Sequence, residues 1–82
     1  MIKDLIFVDF NNADSQGRLR LNLKGTKKDL KKKSIRLRHG LSLLFGDGCE
    51  LSVTGIVEFS SEEKIWVARI EWGEIIRITT DD

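Results

Sequence analysis

The two residues best suited to metal binding or nucleophilic catalysis occur once each: the imidazole of His39 and the thiol of Cys49. A structural zinc site takes four ligands at short spacings, and only these two soft ligands are present. A cysteine nucleophile needs a neighbouring base and a third group that orients it, and no residue pattern supplies that group. We interpret His39 as a surface residue beside a turn and Cys49 as a small residue after one. The sequence therefore predicts neither a metal site nor a catalytic thiol.

The acidic and glycine-containing segments also lack a catalytic pattern. Adjacent carboxylates at Glu62 and Glu63, and at Asp81 and Asp82, are typical of solvated turns. Acid–base catalysis instead needs carboxylates in different environments, one of them desolvated. The Gly-Asp-Gly stretch at 46–48 lacks the lysine and the hydroxyl residue of a phosphate-binding loop. The sequence therefore predicts a protein that is not an enzyme and has no catalytic residue and no cofactor.

Charge is distributed unevenly along the chain, although the net charge is only +1. Residues 18–38 contain ten lysines and arginines against one aspartate, whereas residues 39–82 contain three basic residues against nine acidic ones. Such a basic run is suited to weak, shape-based binding of a nucleic acid or another polyanion. The alternative is a solvated charged face, and no aromatic residue lies within the run to stack on a base. The candidate polyanion-binding residues are Arg18, Arg20, Lys27, Lys28, Lys31, Lys32, Lys33, Arg36 and Arg38.

The apolar residues of the second half suggest a protein interface. Trp66 and Trp72, six residues apart on one face of a strand pattern, are predicted to anchor the core. Ile65 and Val67 alternate with them and face the other way, where Ile56 on the preceding strand would join them. An apolar patch of this kind needs a partner or a second copy of the chain. The candidate protein-interface residues are therefore Ile56, Ile65 and Val67.

The elements that must position these residues begin with two strands and a helix. Residues 1–10 are largely apolar on both faces, which predicts a central strand. Residues 18–24 alternate leucine with polar residues, which predicts a second strand paired with the first in a hairpin. Thr26 and Asp29 then have the spacing of a capping box, in which a hydroxyl and a carboxylate cap the first turn of a helix. One short helix is therefore predicted near 27–33.

From residue 35 onward the period of two returns, with glycines at 46, 48, 55 and 73 as corners. Gly55, within an otherwise continuous strand pattern, predicts a bulge or a sharp bend. Five or six strands with one short helix predict a mainly β fold, a small antiparallel barrel that is SH3-like in preference to OB-like. Residues 1–82 would then form a single small β-barrel domain.

Three segments of the chain resemble a group of small bacterial proteins of uncharacterised function. They read GRLRLN at 17–22, GTKKDL at 25–30 and, in a third stretch, ELSVTGIVEF at 50–59 followed by IWVARIEW at 65–72. The resemblance covers residues 14–76, and its motifs are framework positions: turn glycines, the capping box and the tryptophans. It implies an SH3-like barrel rather than an activity, and it assigns no functional residue.

Composition completes the expectation for function. No apolar run approaches the ~18 residues that a membrane-spanning helix requires, and a single cysteine forms no internal disulfide. We therefore expect a cytoplasmic protein without a membrane partner. Its first expected function is that of a non-enzymatic protein-interaction module or a homodimer. The alternative is weak nucleic-acid or polyanion binding through the basic segment 18–38.

Overall fold

The computed structural model describes residues 5–77 of the 82-residue chain. Within this range the expectation of a mainly β fold with one short helix is confirmed, and no helix there is long and apolar enough to cross a membrane. In chain order the elements are β1 (Ile6–Phe7), β2 (Leu19–Arg20), α1 (Lys24–Lys32), β3 (Ser42–Gly46), β4 (Leu51–Ser60), β5 (Ile65–Ile70), a 3-10 turn (Trp72–Glu74) and β6 (Ile76–Arg77).

The strands form one strongly curled sheet, a half-barrel with the strand order β1-β3-β4-β5-β2. β4 is the longest strand and changes partner along its length. Its first half pairs with β3 and with the off-path strand β6, and its second half pairs with β5. Buried residues of neighbouring strands share one face, where Leu19 lies opposite Ala68 and Phe45 lies opposite Val53. This shared apolar face is the core.

The first strand is neither central nor the hairpin partner of the second. β1 lies at one end of the sheet and pairs in parallel with β3, whereas β2 lies at the other end and pairs with β5. Ile6 and Val8 face the core with no exposed surface, and the ring of Phe7 points the other way, against Gly25 of α1. Residues 1–10 look apolar on both faces because a helix, rather than a second strand, covers the outer face of β1. The parallel pair also corrects the expectation of a purely antiparallel sheet.

The helix begins earlier than the capping-box spacing predicts. Leu23 occupies the N-cap without a side-chain cap, and both Thr26 and Asp29 lie inside α1. Their side chains hydrogen-bond the backbone of Phe7 instead of the first helical turn. The predicted capping box is therefore wrong, because a strand edge distant in sequence competes for the same polar groups.

Gly55 does not form a bulge. The pairing of β4 with β3 runs through it without an inserted residue, and the pairing of β4 with β5 ends at Gly55 in an unbroken register. A Cβ atom at this position would lie 2.8 Å from Cγ2 of Ile70 and 3.1 Å from the ring of Phe45. The glycine is required because two core side chains approach the backbone closely where the sheet curls.

Neither tryptophan is a buried core anchor. Trp66 is half-buried against the edge of the core, and Trp72 lies in the 3-10 turn with 44% of its surface exposed. The indole N–H of Trp72 donates to the carbonyl oxygen of Gly17 at 2.9 Å. Phe45 and aliphatic residues fill the centre of the sheet instead, since a curled sheet leaves little volume for an indole ring.

Candidate polyanion-binding surface

The solvent side of α1 consists of lysine alone. The buried residues of the helix are Thr26 and Leu30, which face the sheet. Every exposed position of the helix is a lysine, and at about 100° per residue these positions fall within an arc of about 140°. We call this surface the lysine face. Its members are Lys24, Lys27, Lys28, Lys31 and Lys32.

No carboxylate neutralises the lysine face within residues 5–77. The one acid of the helix, Asp29, is turned towards β1, and the first turn contains no acidic residue. Three pairs of lysines are four residues apart, and each like-charged pair of this spacing destabilises a helix by roughly 0.2–0.5 kcal/mol. The lysines therefore make the local electrostatics of α1 unfavourable while creating a concentrated positive surface.

Arg18 and Arg20, two of the candidate polyanion-binding residues, do not lie on α1. Both are ion-paired on the outer face of the sheet. Arg18 Nε donates to Asp14 Oδ2 at 2.9 Å and its Nη1 donates to Glu58 Oε1 at 3.1 Å. Arg69 Nε donates to the other oxygen of Glu58 at 2.7 Å. Arg18 thus satisfies two carboxylates with only 13% of its side chain exposed.

The pKa values of these carboxylates report the same pairing. Burial alone would raise the pKa of Asp14, but hydrogen bonds from the backbone N–H groups of Arg18 and Gln16 and from the Arg18 guanidinium hold it below its ordinary value. The hydrogen bond from Arg69 is the main cause that lowers the pKa of Glu58, with Arg18 adding to it. Both carboxylates are therefore ionised at neutral pH and compete with any phosphate for Arg18.

Arg20 is held in the same way. Its Nε and Nη2 atoms donate to the two carboxylate oxygens of Glu63 at 2.7 and 2.9 Å, and Nη1 donates to Asn12 Oδ1 at 3.1 Å. A two-point pair of this geometry is among the stronger charged contacts in proteins. The hydrogen bond from Arg20 lowers the pKa of Glu63. The structure thus commits Arg18 and Arg20, neither of which lies on α1, to intramolecular ion pairs.

The remaining basic candidates extend the lysine face beyond the helix end. Arg36 is exposed and lines a shallow cleft of about 300 Å³ together with Lys31. Arg38 is exposed two residues further on, in a segment that is not a strand. Lys33 is half-buried at the C-cap and already takes part in an intramolecular contact. The structure therefore brings Lys31 and Arg36 together and leaves Lys33 out of the exposed surface.

Lys64 and Trp66 lie beside the lysine face but outside the basic segment 18–38, so that segment alone does not predict them. Lys64, in the turn between β4 and β5, lines a cleft of about 210 Å³ with Lys27 and Trp66. Trp66 in turn packs against Phe59, its register partner on β4. The sequence signal that could have predicted them is the β4–β5 hairpin, which places Phe59 opposite Trp66 beside a lysine in the turn. Their closeness to α1 depends on contacts between distant segments.

The predicted apolar interface is not an exposed patch. Val67 has no exposed surface, and Ile56 and Ile65 are half-buried. The register partners of Val67 are Glu58 and Arg20, whose ion-paired side chains flank it on the same face of the sheet. Val67 is therefore corrected from an interface residue to a buried one. The exposed large apolar side chains of the described residues are Phe59, Trp72 and Ile76.

The residues first considered for metal or thiol chemistry, His39 and Cys49, are both exposed. Cys49 is in the loop after β3, where Asp47 Oδ1 accepts hydrogen bonds from the backbone N–H groups of Cys49, Glu50 and Leu51. These bonds, that from Leu51 first, hold the pKa of Asp47 below its ordinary value. Residues 5–77 contain no cluster of three or more histidine, cysteine or carboxylate side chains suited to a metal ion.

Comparisons with protein-family models, with curated proteins and with solved structures find no match for this chain.

Proposed function

We propose that this protein is a non-catalytic binding module that takes polyanions, nucleic-acid backbones first among them, on the lysine face of α1. The observation that carries the proposal is that every exposed position of the helix is a lysine that forms no ion pair with any residue of the range 5–77. A face kept only for solubility would gain stability from glutamates placed among the lysines, and the chain has none there. Arg36 and Arg38 extend the positive surface beyond the helix.

The physical basis of such binding is the release of counterions from the polyanion. Each phosphate neutralised by a lysine contributes about −0.7 to −0.9 to the slope of log affinity against log salt concentration. Contacts of this kind carry no sequence information. We therefore expect weak binding that depends steeply on salt and little on base sequence.

The test is fluorescence anisotropy of a labelled oligonucleotide at several salt concentrations. The variant Lys28→Gln with Lys31→Gln removes two charges from the centre of the lysine face. It should bind more weakly and reduce the salt slope by about 1.4–1.8, the value for two lost phosphate contacts. The matched control is Ser42→Glu with Thr54→Glu, which lowers the net charge equally at two exposed positions on the sheet.

Two results would overturn the proposal. One is the absence of binding at low salt to both DNA and RNA. The other is an equal loss of affinity in the sheet control, because the effect would then reflect net charge rather than the lysine face.

A protein-interaction module or homodimer is the second candidate, and the exposure of two large apolar side chains favours it. Trp72 is 44% exposed and Ile76 is 63% exposed. Light scattering across a range of protein concentrations tests self-association. A dimer that Ile76→Asp dissociates would support this candidate, and a monomer at every concentration would exclude the homodimer.

The fold name and the compartment belong to the same proposal. A curled sheet with one short helix supports a small barrel, SH3-like in preference to OB-like, while the parallel pairing of β1 with β3 departs from a purely antiparallel version of either. An exposed, unpaired Cys49 supports a cytoplasmic location, where thiols stay reduced.

A further inference from the structure

An aromatic pair lies at the end of the β4–β5 hairpin, next to the lysine face. The rings of Phe59 and Trp66 are 5.2 Å apart between centroids and meet edge to face at 77°. Phe59 is 46% exposed, and Trp66 is half-buried. Burial in the core therefore does not account for Phe59, whose ring presents a large apolar surface to solvent.

Two cations flank this pair. The cleft of about 210 Å³ beside Trp66 is lined by Lys27 from the lysine face and by Lys64 from the hairpin turn. Both lysines are exposed, and neither is ion-paired among residues 5–77. Asn22 also lines the cleft, and its amide oxygen Oδ1 accepts a hydrogen bond from Asn12 Nδ2 at 3.4 Å, while its amide N–H groups can donate to a ligand. Trp66, two cations and an amide thus share one concave site, and Phe59 adjoins it through its ring contact with Trp66.

The backbone at Lys64 is an independent sign that this position is constrained. Lys64 has φ 61°, in the left-handed region that glycine and asparagine occupy at least cost. Its N–H closes the turn by donating to the carbonyl oxygen of Ser60 at 2.7 Å. A residue with a long cationic side chain therefore stands where a turn-forming glycine would be less strained.

The start of α1 supplies a second feature that suits an anion. Leu23 at the N-cap has no polar side-chain atom, no side chain caps the first turn, and no acidic residue lies there. An uncapped helix start carries partial positive charge and directs its free N–H groups outward. Lys27 belongs to this first turn, so the helix start and the cleft face the same region.

We propose that this cleft binds single-stranded nucleic acid, with a base against the Phe59–Trp66 pair and the adjoining phosphates at Lys27 and Lys64. This inference rests on the proposed polyanion binding by the lysine face and adds the ligand class to it. Single strands are specified because only an unpaired base can expose its face to an aromatic ring, whereas duplex bases are already stacked. The phosphate contacts at the lysine face then continue the strand path without reading sequence.

The experiment follows the fluorescence of Trp66 in a Trp72→Phe background, so that one indole reports. Three probes are titrated at low salt: a single-stranded oligothymidylate, a blunt DNA duplex of equal length, and inorganic polyphosphate. We expect all three to bind the lysine face, and only the single strand to quench Trp66. Circular dichroism verifies that each variant is folded.

The second arm compares two aromatic pairs in otherwise unchanged protein. Phe59→Leu should weaken single-strand binding by roughly 5- to 150-fold, the loss of one stacked base, and leave polyphosphate binding unchanged. Trp72→Leu is the matched control, because Trp72 forms a similar edge-to-face pair with Phe10, with centroids 6.3 Å apart, and neither ring of that pair lines the cleft, whereas Trp66, the ring partner of Phe59, does. It should leave both affinities unchanged.

The outcomes separate this inference from the function on which it rests. Binding of polyphosphate and duplex with no quenching of Trp66 by the single strand would overturn the single-strand site and retain the lysine face. Absence of binding by all three probes would overturn both. Equal losses in Phe59→Leu and Trp72→Leu would also overturn the stacking role.

Discussion

Asp29 accepts a hydrogen bond at 2.9 Å from the backbone N–H of Phe7, twenty-two residues earlier in the chain. One turn before it on α1, Thr26 donates its hydroxyl to the carbonyl oxygen of the same Phe7 at 2.6 Å. The opposite edge of β1 pairs with β3. Helix side chains therefore satisfy the outward backbone groups of an end strand that would otherwise be open to pairing with another chain.

Thr26→Val should lower the free energy of unfolding by about 1–3 kcal/mol, because it leaves the Phe7 carbonyl oxygen without a partner. Thr26 has no exposed surface, and valine has nearly its shape, so packing is little changed. Urea unfolding measures the loss, and Thr54→Val at an exposed position of β4 is the control, expected within about 0.5 kcal/mol of the wild type. Equal stability of the two variants would show that the contact does not hold the helix to the strand.

Thr26 and Asp29 also show the limit of structure prediction from local sequence patterns. The pattern of a threonine followed three residues later by an acidic residue is the same whether the threonine caps a helix or lies inside one. The choice is made by the edge of β1, a long-range partner that spacing does not reveal. The strand periodicities of the second half are local, by contrast, and β3, β4 and β5 lie within the segments where alternation predicts strands.

The residues of the candidate site also fall into two groups: those that local sequence predicts and those whose placement depends on contacts between distant segments. A run of lysines can be predicted from sequence to form a cationic surface because it lies on one helix. The pairing of Arg18 with Glu58 joins residues forty apart, and the closeness of Lys27 to Lys64 depends on how the hairpin packs against the start of α1. Charge counts alone therefore overestimate the basic surface at Arg18 and Arg20, and they do not reveal that Trp66 lies beside the lysine face.

Asp14→Asn should reduce stability at pH 7 by about 1.5–3 kcal/mol, the range for hydrogen bonds to a charged group. Asp14 accepts bonds from the backbone N–H groups of Gln16 and Arg18 and from the Arg18 guanidinium, with 3% of its side chain exposed. Its folded-state pKa is lowered from 3.8, so this contribution is present above that pH and is lost as the pH falls through the lowered value. Urea unfolding at several pH values should show wild type and variant converging on acidification, and a constant gap would contradict the assignment.

Gly55→Ala should destabilise the fold by about 1–3 kcal/mol, the usual cost of crowding a packed core. The added methyl would lie 2.8 Å from Cγ2 of Ile70 and 3.2 Å from the backbone oxygen of Arg69, which cannot both move aside. Gly73→Ala is the control, because a Cβ atom there meets nothing within 4 Å. Thermal unfolding of the two variants separates steric need from the general effect of replacing glycine, and equal midpoints would contradict the close packing.

Lys28→Glu should move stability and polyanion binding in opposite directions. The glutamate would face Lys24 and Lys32 at a spacing of four residues, so two repulsive pairs become attractive ones and the free energy of unfolding should rise by roughly 0.8–2 kcal/mol. The gain should shrink at high salt, because exposed charges are screened. Urea unfolding at two salt concentrations measures it, and anisotropy with the labelled oligonucleotide should show weaker binding by the same variant.

Lys28→Gln is the control for that reversal, since it removes the repulsion without adding an attraction and should give about half the gain in stability. A helix that becomes more stable while the protein loses its ligand would mean that the lysines are retained for binding at the expense of the fold. A more stable variant that binds as well as the wild type would instead make the lysine face a solvated surface, and the proposed function would fail with it.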